Sequence, residues 1–386
     1  MKWTCVRFGW LAFVLWCSGI AGCGNSDDKP GDAGMAAQTD TGTSPDLATG
    51  GNGSPSKPKP TPDSGTAANV DMGPPCQPPS APDLSELMSK VLRTGEPNDL
   101  RVIGDQLFVA DGDTIIRMPL SGGSSEEVAA PGLGGIFGLD ANSTHLFFEL
   151  DGTIWRVPID AVGATPEGVY VPTADEVFMA VDDTHVYLKT SSMGDVSRVT
   201  IEGSFVMDAG VPTDSGVSMD SGIAMDGGVG EAIVSGVTER LFSVIDGYVY
   251  FSRDLGLDYQ VLRVPVSGGS EEKVAVLPWP MCAVSDGTHV YIGGRGGIHQ
   301  VAPGQDPVQI MLRPDDYPWN GDIEQMLVRG QRIYFVNDAG TLGWTKLDGT
   351  RCDTIVNWGS GFETWDVGPE NLYLTSVFDV LQLPLP

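Results

Sequence analysis

A short phrase returns seven times along the second part of the chain, and its spacing constrains the fold more than any single residue does. A couplet of apolar or aromatic residues runs into a glycine or aspartate turn, followed by a strand of the type Ile-x-Arg-Val-Pro. The couplets begin at Leu107, Leu146, Val186, Val249, Val290, Ile333 and Leu372, at intervals of 39, 40, 63, 41, 43 and 39 residues. A period near forty filled with short strands means repeated units in radial or stacked array.

Residues 135–172 illustrate one unit. Gly135-Ile136-Phe137-Gly138-Leu139 reads as a first strand and His145 to Leu150 as a second. Asp151-Gly152 is a hairpin signal. Thr153-Ile154-Trp155-Arg156-Val157-Pro158 reads as a third strand and Gly168 to Val171 as a fourth. Four antiparallel strands per repeat is the content of one propeller blade. The last unit stops after its third strand, and Glu86 to Leu92, before the first full unit, can supply the missing one. Such an exchange removes the open sheet edge of a ring, and a linear solenoid does not need it. The expected fold is therefore all-β: a seven-bladed β-propeller of four-stranded antiparallel blades over residues 83–386, closed by an N-terminal strand in the C-terminal blade.

Residues 1–22 read as a signal peptide, with Lys2 and Arg7 ahead of an apolar stretch from Phe8 to Trp16 that is too short for a permanent span. The segment ends in Ile20-Ala21-Gly22-Cys23, which is similar to the bacterial lipobox. That resemblance implies acylation of Cys23, with palmitate-type chains, in preference to an ordinary secretory signal. Each buried methylene of such a chain adds about 0.8 kcal/mol to membrane affinity. The next residue is Gly24, not an aspartate, so nothing resembles the inner-membrane retention signal, and the expected location is the cell envelope, at the outer membrane. Residues 23–82 are rich in Gly, Pro, Asp, Ser and Thr and hold no aromatics. They are expected to be a disordered tether, roughly 40 Å end to end as a coil.

The blade-forming residues resemble bacterial propellers grouped with the low-density-lipoprotein-receptor YWTD, NHL and TolB-like repeats, which share a "YF-turn-G-x-I-x-R-V-x-x-x-G-G" pattern. Here the residues matching the YF position are Leu107-Phe108, Phe147-Phe148, Tyr187-Leu188, Tyr250-Phe251, Tyr291-Ile292, Tyr334-Phe335 and Tyr373-Leu374, a departure from strict YWTD. The lipobox and tether look like those of predicted myxobacterial envelope lipoproteins. Neither resemblance implies a particular activity.

With 22 basic and 51 acidic residues and a formal net charge of −29, the chain is a poor match for nucleic acid or anionic lipid surfaces. Cys76, Cys282 and Cys352 would remain beside Cys23 after processing; in an oxidising compartment one pair can form, leaving one thiol over. Their separations do not have metal-ligand spacing, and neither a metal nor a cofactor is expected. Asp208, Asp214, Asp220 and Asp226 lie six apart in a low-complexity insertion at 207–230, which reads as a disordered loop in preference to a calcium cage.

Alignment of the units removes the most tempting site residues. His145, His185 and His289 occupy one slot before the second strand, where other units carry Gln106, Tyr248, Arg332 and Asn371, so they read as rim positions. Arg117, Arg156, Arg198 and Arg263 are equally periodic and read as structural, with stems packed along the sheet. Breaks in the repeat remain: Trp279; Tyr317, Trp319 and Asp322; and Trp358, Phe362 and Trp365. All lie in connections from an outer strand to the next inner strand. Aromatics interleaved with Asp and Asn suit a protein or glycan partner, or else pack within their own loops. No nucleophile elbow, zincin helix or P-loop occurs. The expected function is non-catalytic binding of a protein or glycan by an anchored monomer. The alternative is a carbohydrate-active lyase or hydrolase built on the propeller, which should converge a basic residue, His or Tyr with carboxylates at the channel mouth.

Overall fold

The structure, a computed structural model, describes residues 90–132, 135–172, 176–190, 194–202, 230–237, 241–312, 321–357, 362–376 and 378–385. The signal peptide with Cys23, the tether with Cys76, the hexad Asp loop, Tyr317, Trp319 and Trp358 lie outside them.

Strand β1 (Lys90–Thr94) comes first. Blade one is β2 (Pro97–Ile103), β3 (Gln106–Asp111), β4 (Thr114–Pro119) and β5 (Glu126–Ala129). Blade two is β6 (Phe137–Ala141), β7 (His145–Leu150), β8 (Thr153–Pro158) and β9 (Glu167–Tyr170). Blade three is β10 (Glu176–Val181), β11 (His185–Thr190), β12 (Val196–Thr200) and β13 (Glu231–Val234). Blade four is β14 (Phe242–Ile245), β15 (Tyr248–Asp254), β16 (Tyr259–Pro265) and β17 (Glu272–Leu277). Blade five is β18 (Pro280–Ser285), β19 (Val290–Gly294), β20 (Gly297–Val301) and β21 (Val308–Leu312). Blade six is β22 (Ile323–Arg329), β23 (Arg332–Asn337), β24 (Thr341–Lys346) and β25 (Cys352–Asn357). Blade seven is β26 (Phe362–Val367), β27 (Asn371–Ser376) and β28 (Asp379–Pro384), completed by β1 as its outermost strand. All pairings within the blades are antiparallel, and each innermost strand touches the next around the ring, β26 meeting β2.

The couplets exist because a blade buries both faces. Successive residues of a strand point to opposite sides of its sheet, and here each side faces a different neighbour. Leu146 packs in the seam with blade one and Phe147 in the seam with blade three, while Phe148 returns to the first. Val249, Tyr250 and Phe251 alternate likewise between the seams with blades three and five. The core is therefore divided into seam clusters, one between each adjacent pair of blades.

The periodic arginines join blades through their head groups as well as their stems. Arg156 donates from Nε to Glu167 on the outer strand of its own blade and from Nη1 to the Ile201 carbonyl in blade three, at 3.0 and 2.8 Å. Arg117 holds Glu126 and the Ile159 carbonyl, and Arg198 holds Glu231 and the Val266 carbonyl. In blade seven the same strand position is Gln382, whose amide donates to the Leu120 carbonyl of blade one at 3.0 Å.

Closure is made by Lys90–Thr94, slightly C-terminal to the stretch the sequence suggested. β1 pairs with β28 through Lys90↔Gln382 and Thr94↔Asp379, with a bulge between Val91 and Arg93. Thr94 Oγ1 donates to Asp379 at 2.9 Å and Lys90 Nζ to the Ser121 carbonyl at 2.8 Å, so β1 is tied to blades seven and one together. Cys282 is buried as a thiol, outside any disulfide, whereas Cys352 on β25 is disulfide-bonded to a partner outside the described residues.

Candidate functional site

The antiparallel order sorts all connections onto two ends of the ring. Outer-to-inner connections and second-to-third-strand turns form an upper face; first-to-second-strand turns and third-to-fourth connections form a lower one.

Trp279 is on the upper face, in the connection from blade four to blade five. Its φ is +43°, a left-handed conformation that is an outlier for a bulky residue. Contacts on every side hold it there. Its carbonyl accepts the Arg295 N–H at 3.2 Å, an approach open only because Gly294 lacks a Cβ, which would lie 2.1 Å from that oxygen. The indole meets Tyr259 edge-on at 5.9 Å, and the Arg295 guanidinium lies 5.5 Å from its ring centre. On the same face, in the second-to-third-strand turn of blade four, Leu255 and Leu257 are 58 % and 90 % exposed. Phe378 in the corresponding turn of blade seven and Phe137 at the start of β6 are also exposed on this face.

The other expected site residues separate. Asp322 is half-buried at the start of blade six, where its carbonyl accepts the Asp338 N–H. Phe362 opens β26. Trp365 is a correction: it is 3 % exposed in the seam between blades six and seven, and its indole N–H donates to Gln325 Oε1 at 2.6 Å. Its place on β26 pairs it with Leu374 of the β27 couplet and turns the ring into the seam, away from any partner. The three rim histidines lie in matching turns, where Asn142, Asp182 and Asp286 accept the backbone N–H of His145, His185 and His289.

A charged cluster that the repeat pattern does not announce lies on the inner strands. Arg101, Asp140 and Asp366 pair with the second apolar position of the next strand, namely Phe108, Phe147 and Tyr373. Blades three to six carry Ala180, Ser243, Val284 and Leu327 there. One side of the channel, across blades seven, one and two, is therefore charged, and the other is small or apolar. Aligning inner strands by their cross-strand partners would have exposed this.

Most of the charge is committed to joining blades. Asp366 accepts the N–H groups of Val102 in blade one and Val367, both at 2.7 Å. Asp99 accepts those of Leu100 and of Leu139 in blade two, both at 2.8 Å, and Asp140 that of Val181 in blade three at 3.2 Å. Arg101 lies 3.7 Å from Asp99 and donates to the Leu100 carbonyl; its Nε has no hydrogen-bond partner among the described residues. Burial raises Asp99 and Asp366 above the usual carboxylate range and lifts Asp140 to about 6. Burial works against the Arg101 cation, but the carboxylates of Asp99, Asp140 and Asp366 outweigh it and hold its pKa above the ordinary value. A cavity of about 320 Å³ opens beside this cluster on the lower face, with Asp182 and Asp183 at its edge. Among the described residues, no three His, Cys, Asp or Glu side chains come together to hold a metal ion.

No protein-family model and no curated protein sequence matches the chain. Solved structures match at the level of fold. YCF48 bound to a D1 peptide has a TM-score of 0.50 at 12 % identity, covering 80 % of this chain and 100 % of that one. YCF48 from Cyanidioschyzon merolae has a TM-score of 0.49 at 9 % identity, covering 77 % and 98 %. The extracellular domain of the putative hybrid two-component system BT4673 from B. thetaiotaomicron has a TM-score of 0.50 at 12 % identity; the match covers 77 % of this chain and 42 % of that one.

Proposed function

We propose that this protein is an acylated, envelope-anchored propeller whose upper face holds a protein partner without chemistry of its own. The observation that carries this reading is the pair of leucines in one turn of this face, Leu255 and Leu257, 58 % and 90 % exposed, on the same face as a tryptophan held in a strained conformation. Exposed apolar groups gathered on one surface mark interaction sites, and a strained bulky residue persists only where its surroundings fix it. Trp319, Trp358 and Tyr317 belong by sequence to outer-to-inner connections and lie outside the described residues. The lipobox at Ile20 to Cys23 and the tether after it support anchorage at the outer membrane, with the ring held clear of the bilayer.

Support from the comparisons is at the level of the fold: one similar propeller carries a bound peptide. The charged channel residues answer to a structural use, because the oxygens of Asp99 and Asp366 are occupied by backbone N–H groups. Affinity capture from envelope extract with the full chain tests the proposal, compared with a Leu255→Asp/Leu257→Asp variant. A partner retained by the native protein and lost by the variant is the expected result. Identical captured sets would refute the upper-face assignment. Release of shorter glycans from envelope polysaccharide by the native protein would favour the enzyme alternative.

A further inference from the structure

Three cations share one rung of blade six on the lower face. Arg329 is opposite Arg332 in the β22–β23 ladder, and Arg332 is opposite Lys346 in β23–β24. Like charges directly opposite one another destabilise a sheet. The matching rung holds Ile103, Gln106 and Pro119 in blade one, and Ile245, Tyr248 and Pro265 in blade four. A chain with only 22 basic residues against 51 acidic ones has placed three cations side by side. The two arginines border a cavity of about 600 Å³ at the seam with blade seven, lined by Arg329, Gln331, Arg332, Tyr334 and, on its exposed rim, Glu370.

The sister blades show what this place lacks. In blade three the Tyr187 hydroxyl donates to Asp182 Oδ2 at 2.6 Å, and in blade five the Tyr291 hydroxyl donates to Asp286 Oδ2 at 2.9 Å. Each aspartate comes directly after the inner-strand residue paired with the first couplet position, Val181 with Val186 and Ser285 with Val290. In blade six that residue is Val328, paired with Ile333, and Arg329 stands in the place of the aspartate. Tyr334 keeps the tyrosine position, but its hydroxyl has no hydrogen-bond partner among the described residues. Nε and Nη2 of Arg329 are also buried without a hydrogen-bond acceptor. Asp366 approaches Nη2 only to 3.8 Å, with its oxygens turned to the N–H groups of Val102 and Val367.

We propose that this cavity binds the carboxylate of a small organic acid, which accepts from the Tyr334 hydroxyl as Asp182 and Asp286 accept from Tyr187 and Tyr291 in blades three and five. The Tyr334 hydroxyl is the hydrogen-bond donor, and the Arg329 guanidinium, whose Nε and Nη2 are turned inward, supplies charge beside it. Arg332, stacked over the Trp344 ring at 4.0 Å, and the exposed Lys346 supply the surrounding positive field. Burial draws the Arg329 cation below its ordinary range and Asp366 only partly offsets this, as expected of a cation without a full counter-ion. The site is at the opposite end of the ring from the partner face and stands independently of it.

Calorimetric titration of the full chain with acetate and succinate, beside sulfate and phosphate, tests the assignment. Saturable succinate binding is expected, weakened at least about tenfold by Arg329→Asp, a change that restores the sister-blade aspartate–tyrosine pair and keeps the native melting temperature. Tyr334→Phe should weaken the carboxylates several-fold. The proposal is overturned if no carboxylate saturates by about 10 mM, a Kd limit near −3 kcal/mol. Equal binding by native protein and Arg329→Asp would also overturn it, as would sulfate or phosphate binding as tightly as succinate.

Discussion

Arg93 and Asp111 form an ion pair at 2.6 Å between the closing strand β1 and the end of β3 in blade one. Asp111 is buried, and its other oxygen accepts the Glu96 N–H at 2.6 Å. The pair fixes the short link over which the chain passes from the rim of blade seven to the channel of blade one. Replacing Arg93 by Gln leaves a buried carboxylate short of its counter-charge. A loss of about 1–3 kcal/mol is expected, less than for a fully buried pair because Arg93 is partly exposed. Calorimetry should show a melting point lower by several degrees.

Acid should relieve a cost of burying charge in the ring. Asp140 titrates near 6 in the folded ring because burial opposes its charge; in an unfolded chain an aspartate titrates near ~3.9. The folded state therefore binds the extra proton between these values. The stabilising contribution is complete below the lower value and is lost as pH rises through about 6. Asp99 and Asp366 shift in the same direction. Denaturant melts at pH 5 and pH 7 should differ by about 1 kcal/mol in favour of pH 5 from this site. Asp140→Asn, which retains an acceptor for Val181, should reduce that difference.

Trp365 and Leu257 should behave in opposite ways. Trp365→Ala opens a void in a packed seam and strands Gln325, costing about 3–5 kcal/mol. Leu257→Asp, on an exposed turn, should change stability by no more than about 0.5 kcal/mol while abolishing partner capture. Chemical denaturation and capture assays on the two variants separate packing from recognition.

The cysteines give a chemical check. In denaturant without reductant, iodoacetamide should modify Cys282 and leave Cys352 unmodified; after reduction both should react. Peptide mass mapping reads the outcome, and alkylation of Cys352 before reduction would contradict the bonded state.

Arg156 should contribute through two contacts at once. Arg156→Met retains an apolar stem but removes the Glu167 pair and the bond to the Ile201 carbonyl. A cost of about 1–2 kcal/mol is expected, measurable as a shift in the unfolding midpoint.

The second strands were legible because Leu146, Phe147 and Phe148 must fill two seams at once, a demand that writes a contiguous apolar run into every unit. The third strands were legible through Arg117 and its equivalents, whose inter-blade bonds hold the residue type in phase. The register of the first strands was not. Their ladders carry a bulge in six blades, between Pro97 and Asp99, Phe137 and Asp140, Phe178 and Ala180, Pro280 and Cys282, Ile323 and Gln325, and Phe362 and Trp365. An extra residue breaks the alternation of period two, so Arg101, Asp140 and Asp366 do not align by eye. It also obscured the direction of Trp365, which reads as a loop aromatic and is a seam residue. Arg329 was hidden differently: it replaces a turn aspartate whose hydrogen bond to a tyrosine is visible only in space.

The bond from Thr94 to Asp379 joins residues 285 positions apart, and this sets the order in which the molecule can be made. Blades one to six each have all four strands from one contiguous stretch and can pair as they leave the ribosome. Lys90–Thr94 emerges before any of them and must wait, unpaired, until the last strand has been synthesised. Completion of the ring is thus a post-synthetic event, governed by the search of one early segment for one late one, and a chain truncated before Asp379 has no means of ending that search.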